Sequence, residues 1–183
     1  GSFERIKFTE EFFKPKRVVF LDRDGTINKR PARACYIEKP EEFVWLPGAI
    51  EAIHMLKKNG FLVIIITNQP GIARGNLTEE MLHCIHEKMR ADLLKERTEI
   101  DDIFYCPHNW DDGCFCRKPN PGMIFEAQKK YSLNLSECYL IGDDERDIAA
   151  GEAAGCICRM VDEKYTVLDV AKEIVSLEKK EKI

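Results

Sequence analysis

The chain has 183 residues, 44% of them hydrophobic, and a net charge of −4. That length and composition fit one globular domain with its own core and exclude a disordered chain. The acidic balance argues against nucleic acid or an anionic membrane as a partner, and no apolar run is long enough to span a bilayer. With no signal peptide visible, a cytoplasmic location is expected. Residues 1–16 read as an N-terminal extension and 17–183 as a single domain.

Arg17 to Leu21 reads as a first strand. Phe61 to Thr67 is a second, with Ile and Val on both parities, as in a parallel strand covered on both faces. Ile103 to Tyr105, Cys138 to Ile141 and Cys156 to Val161 follow as shorter strands. Helical spacing fills the gaps. Gly48 to Asn59 is one helix, stopped by Asn59-Gly60. Thr78 is a candidate N-cap for a second, with an apolar stripe of Met81, Leu82, Ile85, Met89 and Leu93. Pro121 is placed at the first helical position of a third, and Ile148 to Ala154 and Val167 to Leu177 are two more. His54, His83 and His86 are expected at the surface or partly packed, and Cys35, Cys84, Cys138, Cys156 and Cys158 as small core residues.

Five strands alternating with helices predict an α/β fold: a doubly wound, Rossmann-like parallel sheet with helices on both faces. Roughly forty residues separate the first two strands, too few for a large cap domain. Ligands of such sheets bind beyond the carboxyl ends of the strands, and the chemistry-bearing residues fall there. The first strand runs into Asp22-Arg23-Asp24-Gly25-Thr26, two carboxylates followed by a glycine that lets the backbone turn sharply. A carboxylate nucleophile, a second carboxyl for proton transfer and a hard cation make a phosphoryl-transfer device, whereas Asp-Gly alone is an ordinary acidic turn. The second strand ends in Thr67-Asn68-Gln69, whose hydroxyl and amides are candidate donors to phosphate oxygens. Arg117-Lys118-Pro119 offers cations, and the fourth strand ends in Gly142-Asp143-Asp144-Glu145-Arg146-Asp147, rich in hard oxygen ligands.

Taken together, Asp-x-Asp-Gly-Thr, a strand-end Thr, a Lys and Gly-Asp-Asp-x-x-Asp resemble the motif series of the haloacid dehalogenase-like phosphatases, from about Arg17 to Val161. The resemblance implies Asp22 as the nucleophile that becomes phosphorylated and Asp24 as the general acid, then base. It implies Thr67 as a phosphate-binding hydroxyl and Lys118 as the cation on nucleophile and phosphoryl group. It also implies a catalytic Mg2+ held by Asp143, the Asp22 carboxylate and the Asp24 main-chain carbonyl. Asp147 is expected to orient Lys118 or the helix start. Carboxylates around Asp24 are expected to raise its pKa.

Three of the eight cysteines crowd between positions 106 and 116. Cys106-Pro107-His108 and Cys114-Phe115-Cys116 offer four soft or borderline ligands, a closed tetrahedral set for structural Zn2+. The loop between them is short and polar and cannot make a core, so a metal could fix its shape, and its job would be to hold Arg117 and Lys118 against the substrate. A zinc loop leading into Cys-Arg-Lys-Pro resembles two bacterial branches of the family, one acting on a heptose 1,7-bisphosphate and one on histidinol phosphate. Thr67 to Gly75, and Tyr36-Ile37 leading into Phe43 to Gly48, favour the first. It implies Asn68, Arg74 and Arg117 as substrate contacts, a small phosphorylated metabolite as partner, and a monomer. A phosphatase of nucleic-acid ends and a non-catalytic binding module are the competing readings, and the intact acidic set weighs against the second. One departure stands out: Asp144 follows the implied metal ligand where relatives often carry lysine, and Lys29, Arg30 and Arg33 form a basic stretch after the first motif.

Overall fold

The computed structural model describes residues 16–32 and 35–180. The N-terminal extension up to residue 15, and Arg33, lie outside the described residues. Five strands, β1 (Val18–Leu21), β2 (Leu62–Asn68), β3 (Asp102–Cys106), β4 (Tyr139–Gly142) and β5 (Ile157–Met160), form one sheet in the order β3-β2-β1-β4-β5. Every pairing is parallel. Five α-helices connect or follow them among the described residues: α1 (Ala49–Lys58), α2 (Glu79–Lys95), α3 (Gly122–Tyr131), α4 (Glu145–Ala154) and α5 (Val167–Lys180). No described helix is long and apolar enough to cross a membrane.

The all-apolar strands have the expected reason. Side chains alternate faces along a strand, so β1 sends Val19 and Leu21 into one layer and Val18 and Phe20 into the other, all four fully buried. The first layer joins Val63, Ile65 and Ile141 to Ile53 and Leu56 of α1, Leu82 and Ile85 of α2, and Val170 and Ile174 of α5. The second joins Ile64, Ile66 and Leu140 to Met123, Ile124 and Ala127 of α3 and Ala150 of α4. The register sets Leu21 beside Ile65 on one side and Ile141 on the other, so β4 ends one residue beyond β1 and β2 runs three residues further, to Asn68. The chain steps outward from β1 through β2 to β3, then returns to β4 on the other side of β1. This switch in winding opens a crevice beyond the carboxyl end of β1.

Several expectations need correction. Pro121 is the N-cap of α3, not its first residue. Helix α4 begins at Glu145, three residues before the expected Ile148, because Asp144 accepts from the Arg146 N–H and Asp147 accepts from the Asp144 N–H, closing a capping box. Met81 is exposed rather than part of the α2 stripe, and Cys35 and Cys84 are exposed rather than core residues. His86, by contrast, is buried.

Candidate active site

The two acids of the first motif leave β1 in different environments. Asp22 is buried and its N–H donates to Ile141 O at 2.9 Å, which ties its backbone to β4. Lys118 Nζ reaches its Oδ1 at 2.5 Å, Asp147 Oδ1 at 2.6 Å and Ile66 O at 2.9 Å. Burial pushes the Asp22 carboxyl up to about 7 against the opposing pull of Lys118. Burial works downward on Lys118, but the Asp22 and Asp147 carboxylates outweigh it and hold the ammonium charged. Asp147, the residue with two expected duties, performs both: one oxygen holds Lys118 and the other caps α4.

Asp24 corrects an expectation. Burial works upward on its carboxyl, yet the outcome is a lowered pKa because the Arg23 guanidinium, Asn28 and Gln69 all donate to it. Arg23 Nη2 and Nε meet its two oxygens at 2.9 and 3.2 Å, Asn28 Nδ2 at 2.9 Å and Gln69 Nε2 at 3.0 Å. The sequence draws the eye to acidic neighbours; the folded chain surrounds Asp24 with donors. Arg23 itself is fully buried, and its Nη1 lies 3.2 Å from His86 Nε2. Arginine can only donate, so Nε2 accepts and the imidazole is neutral. Burial, then the Arg23 charge, lowers the His86 pKa to about 3.

Sequence reasoning gave Arg23 no role, expected the Gln69 amide to face phosphate where it donates to Asp24 and Thr67, and expected His86 at the surface or partly packed. His86 had a legible signal: it lies four residues after Leu82, three before Met89 and seven before Leu93, on the buried stripe of α2.

Gly25 has φ 102°, and a Cβ there would fall 2.0 Å from Asp143 Oδ2. Only glycine lets the Asp143 carboxylate lie against the turn, where Thr26 Oγ1 donates to its Oδ1 at 3.3 Å. Asp22, Asp143 and Asp147 present oxygens within 4.8 Å of one another. Asp147 is committed to Lys118 and the α4 cap, so Asp22 and Asp143 remain as the donor pair. An all-oxygen set of this kind fits a hard divalent cation. Asp144 does not add a free anion beside it, because Arg146 holds both of its oxygens, at 2.8 and 2.9 Å.

The remaining candidates separate. Thr67 is buried at the end of β2 with its hydroxyl accepting from Gln69 Nε2 at 2.8 Å, which leaves the hydroxyl proton to donate. Asn68 exchanges hydrogen bonds with the Lys118 main chain, both at 3.0 Å, so its amide positions the lysine. A cavity of about 230 Å³ is lined by Asp22, Asp24, Thr67, Asn68, Arg117 and Lys118, with Arg30 and Arg146 adding positive charge. Arg74 does not line it; it donates to Asn109 Oδ1 and to the hydroxyl of Tyr36, which does.

Beyond β3, the ligand atoms of Cys106, His108, Cys114 and Cys116 all lie within 4.8 Å of one another. Cys106 Sγ is 3.6 Å from Cys114 Sγ and 3.3 Å from Cys116 Sγ, and His108 Nδ1 is 3.2 Å from Cys116 Sγ. Tetrahedral zinc with Zn–S bonds of about 2.3 Å sets sulfurs about 3.7 Å apart, close to this spacing. Burial pushes the Cys106 and Cys116 thiols up, and a cation among the sulfurs would reverse that push. The set fits zinc with no ligand position left over.

Residues 4–155 match the family profile of haloacid dehalogenase-like hydrolases. The chain is 44% identical over 147 residues to a D-glycero-alpha-D-manno-heptose-1,7-bisphosphate 7-phosphatase of Photorhabdus laumondii, covering 76% of this chain and 78% of that protein. It is 39% identical over 140 residues to the D-glycero-beta-D-manno-heptose-1,7-bisphosphate 7-phosphatase of Bordetella bronchiseptica, covering 76% and 77%. A crystal structure of the D,D-heptose 1,7-bisphosphate phosphatase from B. bronchiseptica, complexed with magnesium and phosphate, superposes with a TM-score of 0.82 at 33% identity, over 88% of this chain and 99% of that one.

Proposed function

This chain belongs to the haloacid dehalogenase-like hydrolase family, and we propose that it removes the 7-phosphate of D-glycero-D-manno-heptose 1,7-bisphosphate, leaving heptose 1-phosphate. The observation that carries the reading is the buried Asp22–Lys118–Asp147 set at the end of β1, with Arg30, Arg117 and Arg146 around the same cavity. The buried set supplies a nucleophile and a fixed cation; the three arginines suit a substrate with a second phosphate.

The Asp22 carboxylate attacks phosphorus in line, the bond to the sugar oxygen breaks, and Asp24 delivers a proton to that oxygen. Water then attacks the aspartyl phosphate, Asp24 takes its proton, and Asp22 is released with inorganic phosphate. Thr67 and Lys118 donate to the non-bridging oxygens throughout. Mg2+, held by the carboxylates of Asp22 and Asp143 and the Asp24 carbonyl, supplies neutralising charge to the phosphoryl oxygens. The ionised Asp24 suits the second half of the reaction. For the first it must take up a proton, which an arriving phosphate dianion favours by adding negative charge beside it. Cys106, His108, Cys114 and Cys116 would hold a structural Zn2+, which would fix the loop that carries Arg117 and Lys118 to the substrate.

The test is phosphate release in the presence of magnesium from both anomers of the bisphosphate and from histidinol phosphate. Release from a heptose anomer that falls by about three orders of magnitude or more in Asp22→Asn supports the assignment. Release from histidinol phosphate alone would replace the substrate and keep the chemistry. No release from any of them would overturn the reading.

A further inference from the structure

Arg30 makes three contacts that the reaction described above does not use. Its Nη2 lies 2.8 Å from Asp143 Oδ2, its Nε donates to the Asp24 carbonyl oxygen at 3.3 Å, and its Nη1 lies 3.7 Å from Asp144 Oδ2. Two of these partners, the Asp24 carbonyl and the Asp143 carboxylate, are oxygens that the proposed function assigns to Mg2+, and the inference rests on that assignment. A guanidinium held on Asp143 Oδ2 and the Asp24 carbonyl competes with Mg2+ for these oxygens. Mg2+ needs its ligands at about 2.0–2.1 Å in near-octahedral geometry, and two cations a few ångströms apart repel. The third partner differs: Asp144 is no metal ligand, and it stands beside the cavity that Arg30 also lines. The Arg30 side chain is 48% exposed, so swinging it costs no core packing.

We propose that Arg30 is a metal-displaced substrate-binding residue. Mg2+ takes the Asp24 and Asp143 oxygens from it, and the released guanidinium turns about Asp144 into the cavity to bind a phosphate of the substrate. The metal thereby creates an anion-binding group as well as its own charge. By linkage, phosphate held by Arg30 strengthens metal binding in return. A merely solvated arginine would couple to neither ligand.

Calorimetric titrations test this on the wild type, Arg30→Gln and Arg30→Lys, first with Mg2+ alone and then with inorganic phosphate at saturating Mg2+. Removing the competing cation makes Arg30→Gln bind Mg2+ roughly three- to tenfold tighter, and removing the anion-binding group makes it bind phosphate roughly three- to tenfold more weakly. Arg30→Lys, with the charge but not the fork, falls between the two on both readouts. Mg2+ binding to Arg30→Gln that is no tighter than wild type, or phosphate binding that is no weaker, overturns the inference. An Asp143→Asn control separates the two claims. If it binds Mg2+ as the wild type does, the metal assignment itself has failed and the inference falls with it.

Discussion

His86 is a buried base with one direction of titration open to it. Its pKa is about 3 in the folded chain, against an ordinary 6.5. Between those values the unfolded chain binds a proton that the folded chain refuses, so the stabilisation is complete above pH 6.5 and is lost as pH falls toward 3. At pH 5 that loss is about 2 kcal/mol. Glutamine at this position keeps an acceptor for Arg23 and cannot titrate. Urea unfolding of wild type and His86→Gln at pH 7 and pH 5 should therefore give stability curves that separate by about that amount on acidification; parallel curves would mean that His86 takes up its proton alike in the folded and unfolded states. Asp147 permits a similar dissection, because its two oxygens do separate things. Asp147→Ala removes a partner from buried Lys118 and a cap from α4, and should cost about 3–5 kcal/mol. Asp147→Asn keeps an acceptor for the Asp144 N–H and should recover about 1 kcal/mol of it, read from urea midpoints. At this scale the sequence was legible where chemistry demands one residue type. Asp22, Lys118 and Asp143 were singled out by motif, and the fold brings them together at the end of β1. The donors that lower Asp24 were not singled out as such, because Gln69, beyond β2, and His86 of α2, which accepts from Arg23, are far from Asp24 in sequence and only folding brings them to it and to Arg23.

The elements were read well in their interiors and less well at their ends. Two-sided burial makes β1 and β2 continuous apolar runs, and runs survive any choice of boundary. The start of α4 was missed because its first residues are the acids that had been set aside for metal, whereas Asp144 and Asp147 also build a capping box. One contact between elements has no sequence signature at all. Gly122, in the first turn of α3, faces the backbone of the cysteine loop, and a Cβ there would meet Phe115 O at 2.4 Å and Cys116 Cα at 2.9 Å. Alanine is the better helix former by about 1 kcal/mol. The clash is with backbone, which must move, and overpacking costs about 1–3 kcal/mol. Gly122→Ala should therefore lower the melting temperature rather than raise it, and should weaken zinc retention during dialysis against a chelator. A variant as stable and as zinc-loaded as the wild type would show that the loop yields freely. Thr78 makes the simpler contrast: its Oγ1 caps α2 through the Met81 N–H at 3.1 Å, and Thr78→Ala should cost about 1 kcal/mol with no effect on metal.

Across the whole molecule, the two apolar layers and the cysteine loop are separable. The layers hold the sheet without help from residues 107–113, while the loop joins the rest of the chain through Cys106 at the end of β3, the packing of Cys114 and Cys116 on the second layer, and the Ala73–Pro107, Arg74–Asn109, Asn120–Cys114 and Gly122–Phe115 hydrogen bonds. Lys118 follows Cys116 by two residues, and Arg117 donates to His108 O at 3.2 Å from within the same loop. Loss of zinc should thus act on catalysis more than on folding. Cys114→Ser is expected to lose stoichiometric zinc by elemental analysis and to keep the wild-type far-ultraviolet circular dichroism. Its phosphatase activity should fall about ten- to a hundredfold, as when a metal's supporting groups are removed. The loss should appear in kcat, because the proposed role of Lys118 is on Asp22 and the transferring phosphoryl group. If activity survives the loss of zinc, then the three bonds of Lys118 Nζ, to Asp22, Asp147 and Ile66 O, are enough to position it, and the metal serves only the loop's own shape.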